Sequence, residues 1–194
     1  MGNKLHNRKY PRLKDYDYSR NGSYFVTFCV ENMNEILCTV VGSGFHARPQ
    51  INEQTIYHKQ PQSIIHARPY IELTEIGKEI QNTINYVIKN DEEINIPKYI
   101  IMPNHVHMII VLNNIGYSDT AVGHGSPTLQ SVVGRIKSYA AKRYSEIHDK
   151  KYQTFWQRSF HEHIIRNADE YQRIWKYIDE NPQKWAEDCY YIKT

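Results

Sequence analysis

Two runs of strand-forming residues, separated by one turn signal, constrain the fold of this chain more than any other feature. The segment from Tyr99 to Leu112 reads Tyr-Ile-Ile-Met-Pro-Asn-His-Val-His-Met-Ile-Ile-Val-Leu. Its β-branched and aromatic residues favour extended structure, and Pro-Asn at 103–104 favours a tight turn or bulge between two strands. Because side chains alternate between the faces of a strand, His105 and His107 point one way and Val106 points the other. The sequence therefore predicts a sheet that carries two imidazoles side by side.

Two neighbouring imidazoles on a rigid strand can bind one divalent metal ion at two points. The same pattern is also typical of a polar sheet face that bears two unrelated histidines. For the His-x-His triplet alone, the polar face is the more common interpretation. Motifs elsewhere in the chain are needed to distinguish a metal site from a polar sheet face.

Composition indicates one soluble domain. The chain has 194 residues, of which 40% are hydrophobic and 23% charged, and both values are ordinary for a globular protein. We expect a single domain over residues 1–194. No apolar run has the length of a membrane span, and the polar first twenty residues lack a signal-peptide core, so we expect no membrane partner and a cytoplasmic location. Three scattered cysteines do not form a disulfide framework.

Basic residues are clustered although the net charge is only +3. One cluster lies near the N-terminus among tyrosines, and a second lies on a predicted helix. Cations interleaved with aromatic rings suit single-stranded nucleic acid, although composition alone fits a solvated basic surface equally well. The candidate strand-binding residues are Arg12, Lys14, Arg135, Lys137, Lys142 and Arg143.

Alternating strand and helix signals predict an α+β fold in which helices pack against one largely antiparallel sheet. Strands are predicted at 23–30, 36–41, 70–73, 94–102 and 105–112, with a further extended stretch at 155–165. Helices are predicted to follow caps at Thr74, Ser126 and Asn167, with Pro127 at the first helical position of the second and Pro182 ending the third. Residues 42–69, rich in Gly, Pro and Gln, are interpreted as an inserted mobile excursion.

The last predicted helix carries Tyr177 and Asn181 one turn apart on one face. They border the apolar stripe of Ile174 and Ile178, a position from which a side chain reaches a sheet and stays partly accessible. This suits a nucleophilic tyrosine beside a metal ligand. Taken alone, the pair is better explained as a tyrosine at the core edge and an asparagine that ends a helix.

Three motifs in this order resemble a known family: the His-Val-His strand, the segment Phe155 to Asn167 with its second His-x-His (His161-Glu162-His163), and Tyr-Ile-Asp-Glu-Asn-Pro at 177–182. Together with Arg-Leu-Lys-Asp-Tyr-Asp-Tyr at 12–18, they are similar to the REP-associated tyrosine transposases, which belong to the IS200-like, single-tyrosine HUH transposase superfamily. The resemblance implies the ferredoxin-like HUH fold and covers most of the chain outside 42–69.

The resemblance also implies a chemistry. His105, His107 and Asn181 would bind Mg²⁺ or Mn²⁺, and Tyr177 would attack a phosphodiester of single-stranded or hairpin DNA. The products would be a 5′-phosphotyrosine link and a free 3′-hydroxyl that can rejoin the strand, so the protein would be a site-specific endonuclease and strand transferase, as a monomer or a homodimer. His161 and His163 receive no metal role from it.

Two alternatives remain open from the sequence. One is a domesticated, non-cleaving protein of the same fold that binds hairpin DNA or RNA. The other is a metal-dependent hydrolase in which His105 and His107 activate water. A covalent phosphotyrosine separates both alternatives from a transposase-like enzyme.

Overall fold

The computed structural model describes residues 16–42, 68–113, 127–148 and 154–192. Arg12 and Lys14 lie outside this described part. Its elements follow one another as β1 (Gly22–Cys29), β2 (Cys38–Val41), β3 (Tyr70–Leu73), α1 (Glu75–Asn90), β4 (Ile94–Ile101), β5 (His105–Leu112), α2 (Leu129–His148), β6 (His161–Ile165) and α3 (Ala168–Glu180). Short 3₁₀ turns occupy Glu31–Met33 and Asn181–Glu187.

The main sheet has four strands in the order β4-β5-β1-β6, and each neighbouring pair is antiparallel. Strands β2 and β3 form a separate antiparallel pair. The predicted α+β class with an antiparallel central sheet is therefore confirmed. The predicted excursion falls between β2 and β3, and its residues 43–67 lie outside the described ranges.

The hydrophobic core fills one face of the main sheet. Alternate residues of the two central strands, among them Val26 of β1 and Met108 of β5, pack there against the apolar sides of α1 and α2. Ile84 and Ile136 are fully buried members of these two helices. Because side chains alternate along a strand, Thr27, His105 and His107 are left on the other face, which α3 covers.

Helix starts follow local hydrogen bonds. Thr74 Oγ1 accepts from Gly77 N at 3.1 Å, and Asn167 Oδ1 accepts from Glu170 N at 2.8 Å, so both predicted caps are confirmed. The predicted start of α2, with Ser126 as the cap and Pro127 as the first helical residue, is wrong. The helix begins at Leu129, because Thr128 Oγ1 accepts from Ser131 N at 3.1 Å while Thr128 N donates to Ser131 Oγ at 3.0 Å.

This reciprocal capping pair lies two residues beyond the predicted cap, Ser126, so Pro127 precedes the helix and does not lie inside it. The observed strand ends also differ slightly from the predicted ones. Strand β1 ends at Cys29, one residue before its predicted end, and Val30 makes an isolated bridge to Trp156. In the described part of the chain, the helices are too short or too polar to span a bilayer.

Candidate active site

Strand β5 is central in the sheet and brings two buried imidazoles together. His105 is 0% exposed, His107 is 1% exposed, and their Nε2 atoms are 3.0 Å apart. Val106, between them, is buried in the core on the other face. The histidine pair, His105 and His107, therefore presents two ring nitrogens to one point above the sheet.

The remaining ring nitrogens have partners that fix the orientation of both rings. His105 Nδ1 donates to Asn104 Oδ1 at 2.9 Å, and the Asn104 amide is itself fixed because its Nδ2 donates to Tyr190 O at 2.9 Å. His107 Nδ1 shares a hydrogen bond of 2.7 Å with Thr27 Oγ1. Such outer hydrogen bonds are typical of metal-binding histidines, since they leave the Nε2 lone pair for the ion.

Burial keeps the histidine pair neutral. It lowers the pKa of His107 to about 3, with a smaller contribution from nearby His161. Burial, followed by the neighbouring His107, also lowers the pKa of His105 well below its ordinary value. Both imidazoles are therefore uncharged at neutral pH, which is the form that binds metals.

Helix α3 brings a phenol to the histidine pair. Tyr177 Oη lies 3.3 Å from His107 Nε2, and the two ring centroids are 5.2 Å apart. The residue is 42% exposed, and its ring packs against Phe25 and His107. Partial burial, followed by the charge of Asp188, raises the pKa of Tyr177 above its ordinary value. The hydroxyl is therefore protonated at neutral pH, while the side chain as a whole remains partly exposed.

Asn181 lies beside Tyr177 at the end of α3 and is 2% exposed. Its Nδ2 donates to Asp188 Oδ2 at 2.8 Å, whereas its Oδ1 is buried and has no hydrogen-bond partner among the described residues. An oxygen buried in this way is costly unless something binds it.

Asp188 is a candidate site residue that the sequence did not predict. One ligand atom each of His105, His107 and Asp188 lie within 4.8 Å of one another. Asp188 follows the Asn181–Glu187 turn, where helical periodicity has ended, so no spacing rule pointed to it. An acidic residue shortly after a predicted ligand was the only signal.

These residues fit a hard divalent cation. Adjacent ligands of an octahedral Mg²⁺ with bonds of about 2.1 Å are about 3 Å apart, which matches the separation of the two Nε2 atoms. Two neutral imidazoles and a carboxylate lie close together, and that carboxylate bonds the side chain that carries the unpartnered amide oxygen. Imidazole nitrogens also suit Mn²⁺ and other transition metals.

The second histidine motif lies on the same face of the sheet. In the β1–β6 register, His161 is opposite Thr27 and His163 is opposite Phe25. His163 Nε2 bonds Glu170 Oε1 at 2.6 Å, which connects β6 to the first turn of α3. Both histidines flank the site, and His163 connects two of its supporting elements.

The predicted strand-binding residues of α2 are not brought to this site, because α2 packs on the other face of the sheet. Lys137 Nζ donates to the carbonyl oxygens of residues 157, 158 and 159 at 2.7, 3.3 and 3.3 Å. The other three form surface ion pairs: Arg135 with Asp91, Lys142 with Glu146, and Arg143 with Glu79 and Glu146.

Comparison with solved structures shows which fold this is. The structure of a REP-associated tyrosine transposase bound to a REP hairpin matches with a TM-score of 0.52, covering 90% of this chain and 74% of that chain at 20% identity. The fold is that of a tyrosine transposase.

Sequence comparison then shows the family. The family model "Transposase IS200 like" matches residues 64–181, which is more than half of the chain. This chain belongs to the IS200-like transposase family, as its motifs predicted. An uncharacterised protein of Haemophilus influenzae is 27% identical over 97% of this chain and 95% of its own length.

Proposed function

We propose that this protein nicks and rejoins single-stranded DNA through a covalent bond between Tyr177 and a 5′-phosphate. The observation that carries the proposal is the 3.3 Å approach of Tyr177 Oη to His107 Nε2 of the same chain. A nucleophile next to a two-histidine metal site is the arrangement that metal-assisted phosphoryl transfer needs. The partial exposure of Tyr177 leaves room for a strand.

The histidine pair and Asn181 Oδ1 would bind Mg²⁺ or Mn²⁺. When bound, the ion makes a phosphate more electrophilic and offsets the negative charge that develops on it. Tyr177 Oη forms a bond to phosphorus while the bond from phosphorus to the 3′-oxygen breaks, and the phenolic proton is balanced by the proton that the 3′-oxygen gains. Attack by the same 3′-hydroxyl reverses both changes and rejoins the strand.

The raised pKa of Tyr177 supports the metal-dependent part of the proposal. A phenol that resists ionisation is a poor nucleophile at neutral pH unless a positive charge stabilises its developing phenolate. The histidine pair cannot supply this charge itself, since burial keeps it neutral. A divalent ion held by the histidine pair and Asn181 would supply it, and the partial burial of Tyr177 would strengthen that attraction.

A DNA hairpin with a short single-stranded flank is the proposed substrate. This part of the proposal is supported by family membership and by the solved transposase that is bound to a REP hairpin. The alternative, a non-cleaving binding protein of the same fold, needs no exposed phenol beside two neutral imidazoles.

The test is covalent capture of a labelled hairpin oligonucleotide in Mn²⁺ or Mg²⁺, analysed on a denaturing gel. We expect wild-type protein to form an adduct that survives SDS, and Y177F to form none while still binding the hairpin in a mobility-shift assay. Y171F removes a hydroxyl from the same helix without touching the histidine pair and should retain the adduct.

Three results would contradict the proposal. An adduct with Y177F would mean that another residue is the nucleophile. A nick without any adduct would indicate a hydrolase. Binding of many hairpins with neither nick nor adduct would favour the non-cleaving alternative.

A further inference from the structure

Asp188 is brought to the histidine pair by the Asn181–Glu187 turn. One of its carboxylate oxygens, one ring nitrogen of His105 and one ring nitrogen of His107 lie within 4.8 Å of one another. The turn is anchored by Trp185, which is buried in a small cluster with Met102 and Val40 on this side of the molecule. The position of the Asp188 carboxylate beside the histidine pair is therefore set by the packing of this turn.

Both carboxylate oxygens are also fixed by hydrogen bonds. Asp188 Oδ2 accepts from Asn181 Nδ2 at 2.8 Å, and Oδ1 accepts from Tyr190 N at 2.8 Å. Asp188 N in turn donates to Trp185 O at 3.1 Å. A carboxylate has about four lone-pair positions, so these two bonds leave capacity for a metal ion.

The hydrogen bond to Asp188 also sets the orientation of the Asn181 amide. Because Nδ2 faces Asp188, Oδ1 is the end that lacks a partner. The carboxylate near the two imidazoles thus bonds a side chain that carries a second, neutral oxygen donor.

Charge distinguishes the role of Asp188 from that of Asn181. The two imidazoles and the amide are all uncharged, whereas Mg²⁺ is usually bound in proteins through at least one carboxylate. Asp188 is the carboxylate in the His/Asp cluster of the described residues. A site without it would have to hold a dication with neutral donors alone.

We propose that Asp188 binds the divalent ion of this site directly, as its carboxylate ligand beside His105, His107 and Asn181. This inference rests on the metal-dependent function proposed above and adds a ligand from outside α3, the helix that carries Tyr177. Four protein donors leave two positions of an octahedral ion for a phosphate oxygen and water.

The test measures Mn²⁺ binding to metal-free, full-length protein without DNA, by titration calorimetry and by the electron paramagnetic resonance signal of free Mn²⁺. We expect D188N, which keeps the shape and removes the charge, to weaken Mn²⁺ binding about tenfold or more. E187Q removes an exposed carboxylate one residue earlier and should stay within about twofold of wild type. D188S serves as a second variant, in case an amide at this position perturbs folding.

A double-mutant comparison separates a ligand from a residue that acts only by orienting Asn181. If Asp188 binds the ion itself, D188N weakens Mn²⁺ binding in the N181A background as well as in wild type. Loss of the effect in that background, or wild-type affinity in D188N or D188S, would overturn the inference. So would wild-type protein that binds no Mn²⁺ at millimolar concentrations.

Failure of this inference and failure of the proposed function give different results. An adduct on Tyr177 combined with unchanged Mn²⁺ affinity in D188N rejects Asp188 and leaves the function standing. Weakened Mn²⁺ binding in D188N combined with no adduct from wild type supports Asp188 and rejects the function.

Discussion

At the scale of single residues, the neutral histidine pair makes the metal-free fold sensitive to acid. An unfolded histidine titrates near pH 6.5, whereas the pKa of folded His107 is about 3 and that of His105 is also well lowered. Between these values the unfolded chain binds more protons, so stability is full above pH 6.5 and falls as the pH is lowered. Each imidazole adds a slope of about 1.4 kcal/mol per pH unit in this window.

Urea unfolding in the presence of a chelator, at several pH values between 7.5 and 5, measures this slope. We expect H107Q to unfold with a shallower pH dependence than wild type, since it has one imidazole fewer to protonate. Equal slopes for wild type and H107Q would contradict the burial argument.

Local spacing made part of the site predictable. His105 and His107 share a face because strand side chains repeat every two residues, and Tyr177 and Asn181 share a face because they are four apart on a helix. Asp188 depends instead on the burial of Trp185 against Met102, a tertiary contact that no local pattern encodes.

At the scale of elements, the first turn of α1 is packed too closely for any side chain at Gly77. A Cβ there would lie 2.0 Å from Leu37 O. That carbonyl cannot easily move, because it accepts from Thr74 N at 3.1 Å and from Thr74 Oγ1 at 2.9 Å. G77A should therefore destabilise the protein by about 1–3 kcal/mol, as overpacking does.

Gly134 of α2 provides the matched control, because a Cβ there meets nothing within 4 Å. G134A should stabilise the protein by about 0.5–1 kcal/mol, since glycine in a helix interior costs that much relative to alanine. Thermal unfolding of both variants measures the contrast. A G77A protein as stable as wild type would show that α1 can shift away from the Leu37 carbonyl.

Helix interiors and strands followed from hydrophobic periodicity, but the start of α2 did not. Ser126 and Thr128 are both good caps by residue type. The Thr128–Ser131 pair prevails because each residue bonds the backbone of the other. The first helical residue, Leu129, is also fully buried, and burial is a tertiary contact that the residue type of a cap does not encode.

At the scale of the whole molecule, the sheet separates the hydrophobic core from the candidate active site. One face holds the hydrophobic core and carries α1 and α2, and the other carries the histidine pair and α3. Arg135, Lys142 and Arg143 lie on the core side in surface ion pairs, which are weak because solvent screens them. They remain candidates for binding DNA at a distance from the chemistry.

A triple variant, R135A/K142A/R143A, is therefore expected to bind the hairpin more weakly and with a smaller salt dependence, whereas its Mn²⁺ affinity stays unchanged. Each lost phosphate contact should reduce the slope of log K against log salt by about 0.7–0.9. Fluorescence anisotropy of a labelled hairpin at several salt concentrations measures this, and Y177F is the control that should keep the wild-type slope. Wild-type affinity and slope in the triple variant would place the DNA elsewhere on the molecule.

Lys137 should behave differently from its three neighbours on α2. Its ammonium is held by the carbonyl oxygens of residues 157–159, so it joins α2 to the segment that leads into β6. K137M leaves those carbonyls without their donor, and we expect it to lower the free energy of unfolding by about 1–3 kcal/mol. A K137M protein with wild-type stability, but with a smaller salt dependence of hairpin binding, would instead indicate that Lys137 binds the DNA strand.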